Sequence, residues 1–288
     1  MLTPLDFLSD LTNPMLAFLP KALIVSMLAA VVCGVIGSHV VLRGMTFIGD
    51  AVSHSVFPGI AVAFVLQGSL VVGGIVAGVV TAVLIVVFSQ TKRLREDSVI
   101  GVFFVAAFAL GIVVISISPG YAGSLTSFLF GSITGIPDEA VWFSLAMTIG
   151  VLAVAMALHK ELVAVSLDRE YARSLGMPVL ALDIALYVLV TLAVVMSIQT
   201  IGNVLVLALL VTPAASARML SDRLVPMMLT AAGIGAVSAF VGLYLSWALD
   251  VPTGGTIVLV CTAMFLLAWA FGPRHGLLAR AKPVARAA

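Results

Sequence analysis

The stretch "GDAVSHSVFPGIAV", residues 49–62, sets an aspartate, a histidine and a proline at four-residue intervals in an otherwise apolar region. On a helix, Asp50 and His54 share one face, with Cβ atoms about 5–6 Å apart. At that separation a carboxylate oxygen and an imidazole nitrogen can reach one cation. Equally, they can hydrogen-bond to each other and do no more than pin two helices. Ser53 is adjacent but less well aimed. Pro58 lacks the N–H that would bond the carbonyl of residue 54. The helix is therefore expected to break or bend at Pro58, releasing a carbonyl beside the pair. Such a carbonyl is tolerated at membrane depth only against protein or a water-filled cavity. The stretch reads as the wall of a polar path.

Two ligands are too few for a transition metal, which takes about four to six. Two copies of the chain about a twofold axis would supply two carboxylates and two imidazoles. A homodimer with the path between subunits is therefore predicted. This oxygen and nitrogen set suits Mn2+, Fe2+ or Zn2+, and suits Cu(I) poorly for want of sulfur. His39 lies in the same neighbourhood and is a secondary candidate for a metal contact. Cys33 and Cys261 both fall within apolar spans, where they read as packing residues rather than a disulfide framework.

The surrounding elements follow from hydropathy. The 288 residues are 62% hydrophobic and 9% charged, with a mean hydropathy of +1.26. Soluble domains carry about 25% charged residues, so the fold class is all-α, a polytopic membrane helical bundle. A span needs about 20 apolar residues. Nine stretches approach that length: 22–41, 48–66, 70–89, 99–117, 139–158, 180–197, 202–217, 226–249 and 253–271. Counts of eight or ten stay open, because 202–217 is short and contains Pro213, where a broken or re-entrant helix is an alternative. The stretch 121–136, rich in Gly and Ser, reads as a partly buried outer segment.

With nine crossings, every basic residue except Lys21 falls on one face. By the positive-inside rule that face is cytoplasmic, so the C-terminus lies inside, the N-terminus outside, and the bilayer is the cell's inner (plasma) membrane. The start of the chain lacks a basic n-region and carries Asp6 and Asp10, which suits an outer interfacial helix better than a cleavable signal. Residues 1–288 form a single transmembrane domain with no linker or soluble module, and no nucleic-acid partner is expected.

A transporter must couple to an energy source. None of the four lysines, at 21, 92, 160 and 282, follows a glycine, so there is no phosphate-binding G-x-x-x-x-G-K-[ST] loop. No H-E-x-x-H occurs either. The chain is not expected to be an enzyme. The longest connection on the basic face is 159–178, and within it "SLDREYARSLG" (166–176) reads as a short helix ended by Gly176 and delimited by Pro178. Asp168, Glu170, Arg169 and Arg173 charge its surface, while Tyr171, Ala172 and Leu175 give it an apolar side. That is the form of a helix that docks into another protein; a solvated loop with local salt bridges is the plainer reading.

"LRGMTFIGDAVSHSVFPGIAVAF" (42–64) resembles the early signature of the ABC-type metal-ion permeases, the manganese, zinc and iron importer family. "SFLFGSITG" (127–135) is similar to its mid-chain signature, and "VSLDREYARSLGMP" (165–178) to the segment that seats such permeases on their ATPase. "IGNVLVLALLVTPAASARML" (201–220) and "GLYLSWALDVPTGGTIVL" (242–259) resemble its C-terminal half. The resemblance implies a type II ABC importer-like permease, paired as a homodimer, with a separate cytoplasmic ABC ATPase dimer that hydrolyses ATP. It also implies an extracytoplasmic lipoprotein that delivers the metal. Asp50 and His54 match the family's coordinating pair, and Asp168, Glu170, Ala172, Arg173 and Gly176 fall in its coupling segment. Phe57 stands where an aliphatic residue is the commoner choice. No permanently bound cofactor is expected; the divalent ion (Mn2+ slightly favoured, Zn2+ or Fe2+ otherwise) is cargo. Two rivals are an ABC permease for a non-metal ligand and a proton-coupled secondary transporter in which the pair relays protons.

Overall fold

The computed structural model describes residues 4–45, 47–90, 96–116, 136–272 and 276–277, all helix and connection with no strand among them. A short α1 (Pro4–Asp10) leads into α2 (Phe18–Leu42), α3 (Ile48–Val65), α4 (Leu70–Ser89) and α5 (Glu96–Ser116). Then follow α6 (Asp138–Ala157), two short helices α7 (His159–Leu167) and α8 (Arg169–Ser174), and α9 (Val179–Ile201). α10 (Asn203–Leu220), α11 (Leu224–Leu249) and α12 (Thr253–Phe271) complete the bundle. Most of the expected outer segment 121–136, and with it the mid-chain signature, lies outside the described residues.

Eight of these helices are long and apolar enough to cross a membrane, and Val206–Leu220 is a shorter apolar one. They coincide with the nine hydropathy stretches, because in hydrocarbon a segment must satisfy its own backbone and helix is the way to do so. The break considered at Pro213 does not occur. α10 runs through it, held by the fully buried Leu209, Leu210, Ala214 and Ala217 on either side. α9 and α10 are separated by Gly202 alone, at φ +86°, a conformation that a side chain would strain.

α2 is the axis of the bundle, packed against α11, α10, α9 and α6. Small residues allow the approach. A Cβ on Gly37 would lie 1.8 Å from the Leu210 carbonyl oxygen of α10, so the two backbones touch there. α5, α6 and α12 bury little and turn Val105, Val113, Trp142, Ile149, Leu259 and Leu266 outward. In water such a surface would be unstable; against lipid tails it is neutral.

α1 packs against the end of α11. Phe7 is buried edge-on against Phe240 and Tyr244 of α11, at 5.9 and 5.5 Å. Trp247 donates its indole N–H to Asp10 at 3.0 Å, and Lys21 pairs with Asp138 at 2.6 Å. At the opposite end Arg43, Arg169 and Arg173 gather.

Candidate metal site

α3 holds the Asp–His pair in its first two turns. Asp50 is in the first turn, where the helix's partial positive charge favours a carboxylate. Asp50 Oδ1 and His54 Nε2 are 3.5 Å apart. They stand at ion-pair distance, longer than a short hydrogen bond of about 2.7–3.2 Å. Two ligands each about 2.1 Å from one cation stand about 3.4 Å apart at a tetrahedral angle, and about 3.0 Å apart at a right angle. A separation of 3.5 Å is compatible with two ligands of one cation.

Apolar rings wall one side. The His54 ring meets the edges of Phe104 and Phe108 on α5, both at 5.1 Å, and Phe57 tilts onto Phe108 at 6.1 Å. α5 comes this near because of Gly111, where a Cβ would lie 2.4 Å from the Phe57 ring and 3.3 Å from the Pro58 nitrogen. The expected break at Pro58 is corrected here: α3 continues through it as one helix. The proline is buried, and α4 grips the backbone beside it, a Cβ on Gly59 standing 2.0 Å from the Gly73 carbonyl oxygen. On the other side the pair is open, with His54 25% and Asp50 40% exposed in the single chain. Among the described residues no group of three or more metal-ligating side chains occurs. One chain brings two potential ligands together and leaves one face of the pair uncovered.

The neighbours do not extend it. Ser53 donates its hydroxyl to the Asp50 carbonyl at 2.9 Å. His39 is fully buried with neither ring nitrogen partnered among the described residues, and its ring lies edge-on to His159 at 5.7 Å. Cys33 and Cys261 are buried free thiols, Cys33 packed at 3.5 Å from the Ser197 hydroxyl.

The segment expected to dock is two helices rather than one across 166–176. Asp168 separates them in extended conformation, its carboxylate accepting from the Glu170 and Tyr171 amides at 2.9 Å each. Gly176 ends α8 at φ +76°. Glu170 and Arg173 face outward, Arg173 reaching Gln90 at 3.0 Å. Ala172 is fully buried, so it seats α8 on the bundle rather than meeting a partner. Leu167, Tyr171 and Leu175 are the apolar groups left bare, at 82%, 60% and 60% exposure.

Behind α8 lies a cluster that hydropathy did not single out. Asp183 of α9 is fully buried. Arg43 Nη1 meets its Oδ1 at 2.7 Å, and Arg169 of α8 pairs with its Oδ2. Arg169 also stands 3.6 Å from Glu96 at the start of α5, and Tyr187 donates its hydroxyl to Glu96. Burial acts to lower the affinity of the Arg169 guanidinium for its proton, but Asp183 and Glu96 outweigh it and push the pKa above the usual range. The signal was present: an acid alone in "VLALDIALYVLV" (179–190), with a tyrosine four residues on.

Residues 15–272 match the model of the ABC 3 transport family. The chain belongs to that family. Among ABC 3 relatives, the "Manganese transport system membrane protein MntC" of Halalkalibacterium halodurans is 40% identical over 92% of this chain and 90% of its own. The "Chelated iron transport system membrane protein YfeC" of Yersinia pestis is 37% identical over 91% of this chain and 89% of its own. A solved structure, "PsaBC from Streptococcus pneumoniae in complex with Fab", superposes with a TM-score of 0.85 at 31% identity. The match covers 95% of this chain and 98% of that one. ABC 3 membership makes the chain a multi-pass transport permease, as the motifs implied, and its similarity runs through the whole helical bundle rather than through one motif.

Proposed function

We propose that this permease carries a divalent transition metal into the cell, manganese first and zinc or iron otherwise, through a path between two copies of the chain. The observation that supports this most is the Asp50–His54 pair, 3.5 Å apart on one face of α3 and partly exposed. Both residues lie on α3, so a contact between them does not by itself join two helices. The names of the relatives agree, since they transport manganese or chelated iron. A twin chain would cover the exposed side of each pair and raise the ligand count to four, while Phe104 and Phe108 exclude water from the other side.

The basic end, with Arg43, Arg169 and Arg173, is cytoplasmic in this reading, and α1 lies outside. Separate ATPase chains seat on α7 and α8 through Leu167, Tyr171 and Leu175. Their closure drives alternating access, and an external metal-binding lipoprotein loads the path. Uptake in proteoliposomes holding the permease and its ATPase, with ATP present or absent, tests the scheme. Metal uptake without any ATPase would instead establish the proton-coupled rival, and a metal-free complex would point to a non-metal ligand.

Two further results are expected. Replacing Leu175 or Tyr171 with aspartate puts a charge into the docking face, where a central contact is worth a factor of about ten or more. Co-purified ATPase should fall accordingly at unchanged permease yield; equal recovery removes the docking assignment. Protons compete with a metal for an imidazole. Uptake should therefore fall as pH is lowered from about 8 to about 5, and a flat profile would count against histidine ligation.

A further inference from the structure

The buried charges behind the docking helix join three places that matter to transport. One is α8 itself, through Arg169. The second is the turn after α2, through Arg43, only seven residues before Asp50. The third is the start of α5, through Glu96, on the helix whose Phe104 and Phe108 lie against His54. Asp183 stands at the junction, one oxygen on each arginine. Arg43 extends the network to α7, donating Nε to the Ser166 hydroxyl at 2.9 Å. Tyr187 extends it back to the α2–α3 turn, its hydroxyl 3.4 Å from Met45 Sδ while it donates to Glu96.

Packing does not call for such a cluster. Well-fitted apolar side chains of similar volume would hold these helices as well, because burying charges costs much of what their attraction returns. Ion pairs differ from apolar contacts in fixing direction, since each arm binds only where donor meets acceptor. The buried Arg43 Nη2 has no partner among the described residues, which leaves the cluster one donor for a second arrangement.

We propose that Asp183 is the positioning residue that transmits motion of α8 to the metal site, pulling the α2–α3 turn through Arg43 and the α5 wall through Arg169 and Glu96. The inference rests on the reading above that an ATPase drives the permease from α8. Asp183 touches no metal in this scheme. It sets whether movement at the docking helix reaches Asp50 and His54.

The test uses the full complex of permease and ATPase in proteoliposomes, with manganese as the transported ion. Manganese taken up and ATP hydrolysed are measured together, alongside manganese bound by the detergent-purified complex. In Asp183→Asn, which keeps the shape and removes the charge, ATP hydrolysis and bound manganese should persist. Ions moved per ATP should drop by about tenfold, within the usual range of coupling between sites. An unchanged ratio overturns the proposal and leaves the function intact. ATP-independent uptake by the unaltered chain overturns the underlying reading instead. Should Asp183→Asn fail to assemble, Glu96→Gln cuts only the arm to α5. A several-fold lower ratio with normal metal binding then supports the link, and a normal ratio refutes it.

Discussion

Asp50→Ala is expected to reduce metal uptake to background while the protein still folds and assembles. The side chain is 40% exposed in the single chain and makes no short hydrogen bond, so little stability depends on it. In the proposed homodimer its effect on binding would be doubled by symmetry, because one substitution would remove a ligand from each copy. Losing a residue that merely orients a ligand costs about 10–100-fold in metal affinity, and two direct ligands should cost more. Metal bound per complex, measured after gel filtration, checks this separately from transport. Normal binding by the alanine variant would mean that the pair is not the site. His54→Ala should have a similar effect on binding, but it also leaves a void against Phe104 and Phe108, so the aspartate variant is the cleaner probe.

Gly37→Leu is expected to abolish recoverable folded protein. Even the first carbon of a side chain would stand 1.8 Å from the Leu210 carbonyl oxygen and 2.9 Å from its carbon. These are backbone atoms of a packed helix and cannot rotate away. Overpacking a core ordinarily costs about 1–3 kcal/mol; here α2 would have to leave α10, and it is the helix against which much of the bundle is built. Gly150→Ala is the control, since nothing stands within 4 Å of its Cβ and alanine is the better helix former by about 1 kcal/mol. Membrane yield and monodispersity of the two variants should diverge. Equal yields would show that the α2–α10 contact is looser than described.

Much of the site could be read without coordinates, and the reason is chemical. An ionisable pair in an apolar run is costly, so its presence marks a task, and four-residue spacing puts both groups on one helical face. What spacing could not say was whether the two groups bond to each other. The structure puts them 3.5 Å apart, on a helix packed closely by α4 and α5 at Gly59, Gly73 and Gly111. The same clamping kept Pro58 inside a continuous helix, although its missing N–H suggested an interruption. Ala172 looked like part of an outward apolar side because neighbouring residues on a short helix give few cues to its rotation; the fold turned it inward. Asp183 was overlooked because its partners are distant in the chain, at 43 and 169.

Hydropathy alone located the long apolar helices to within a few residues, because a bilayer demands local backbone satisfaction and long apolar runs. It determined equally that Asp50 and His54 lie together, since helical geometry is local. Only the tertiary structure decided that the pair stands 3.5 Å apart, that α5 supplies its aromatic wall, and that one buried carboxylate joins Arg43 to Arg169 of α8. Those facts depend on residues far apart in the chain meeting through close backbone contacts, which no local periodicity records.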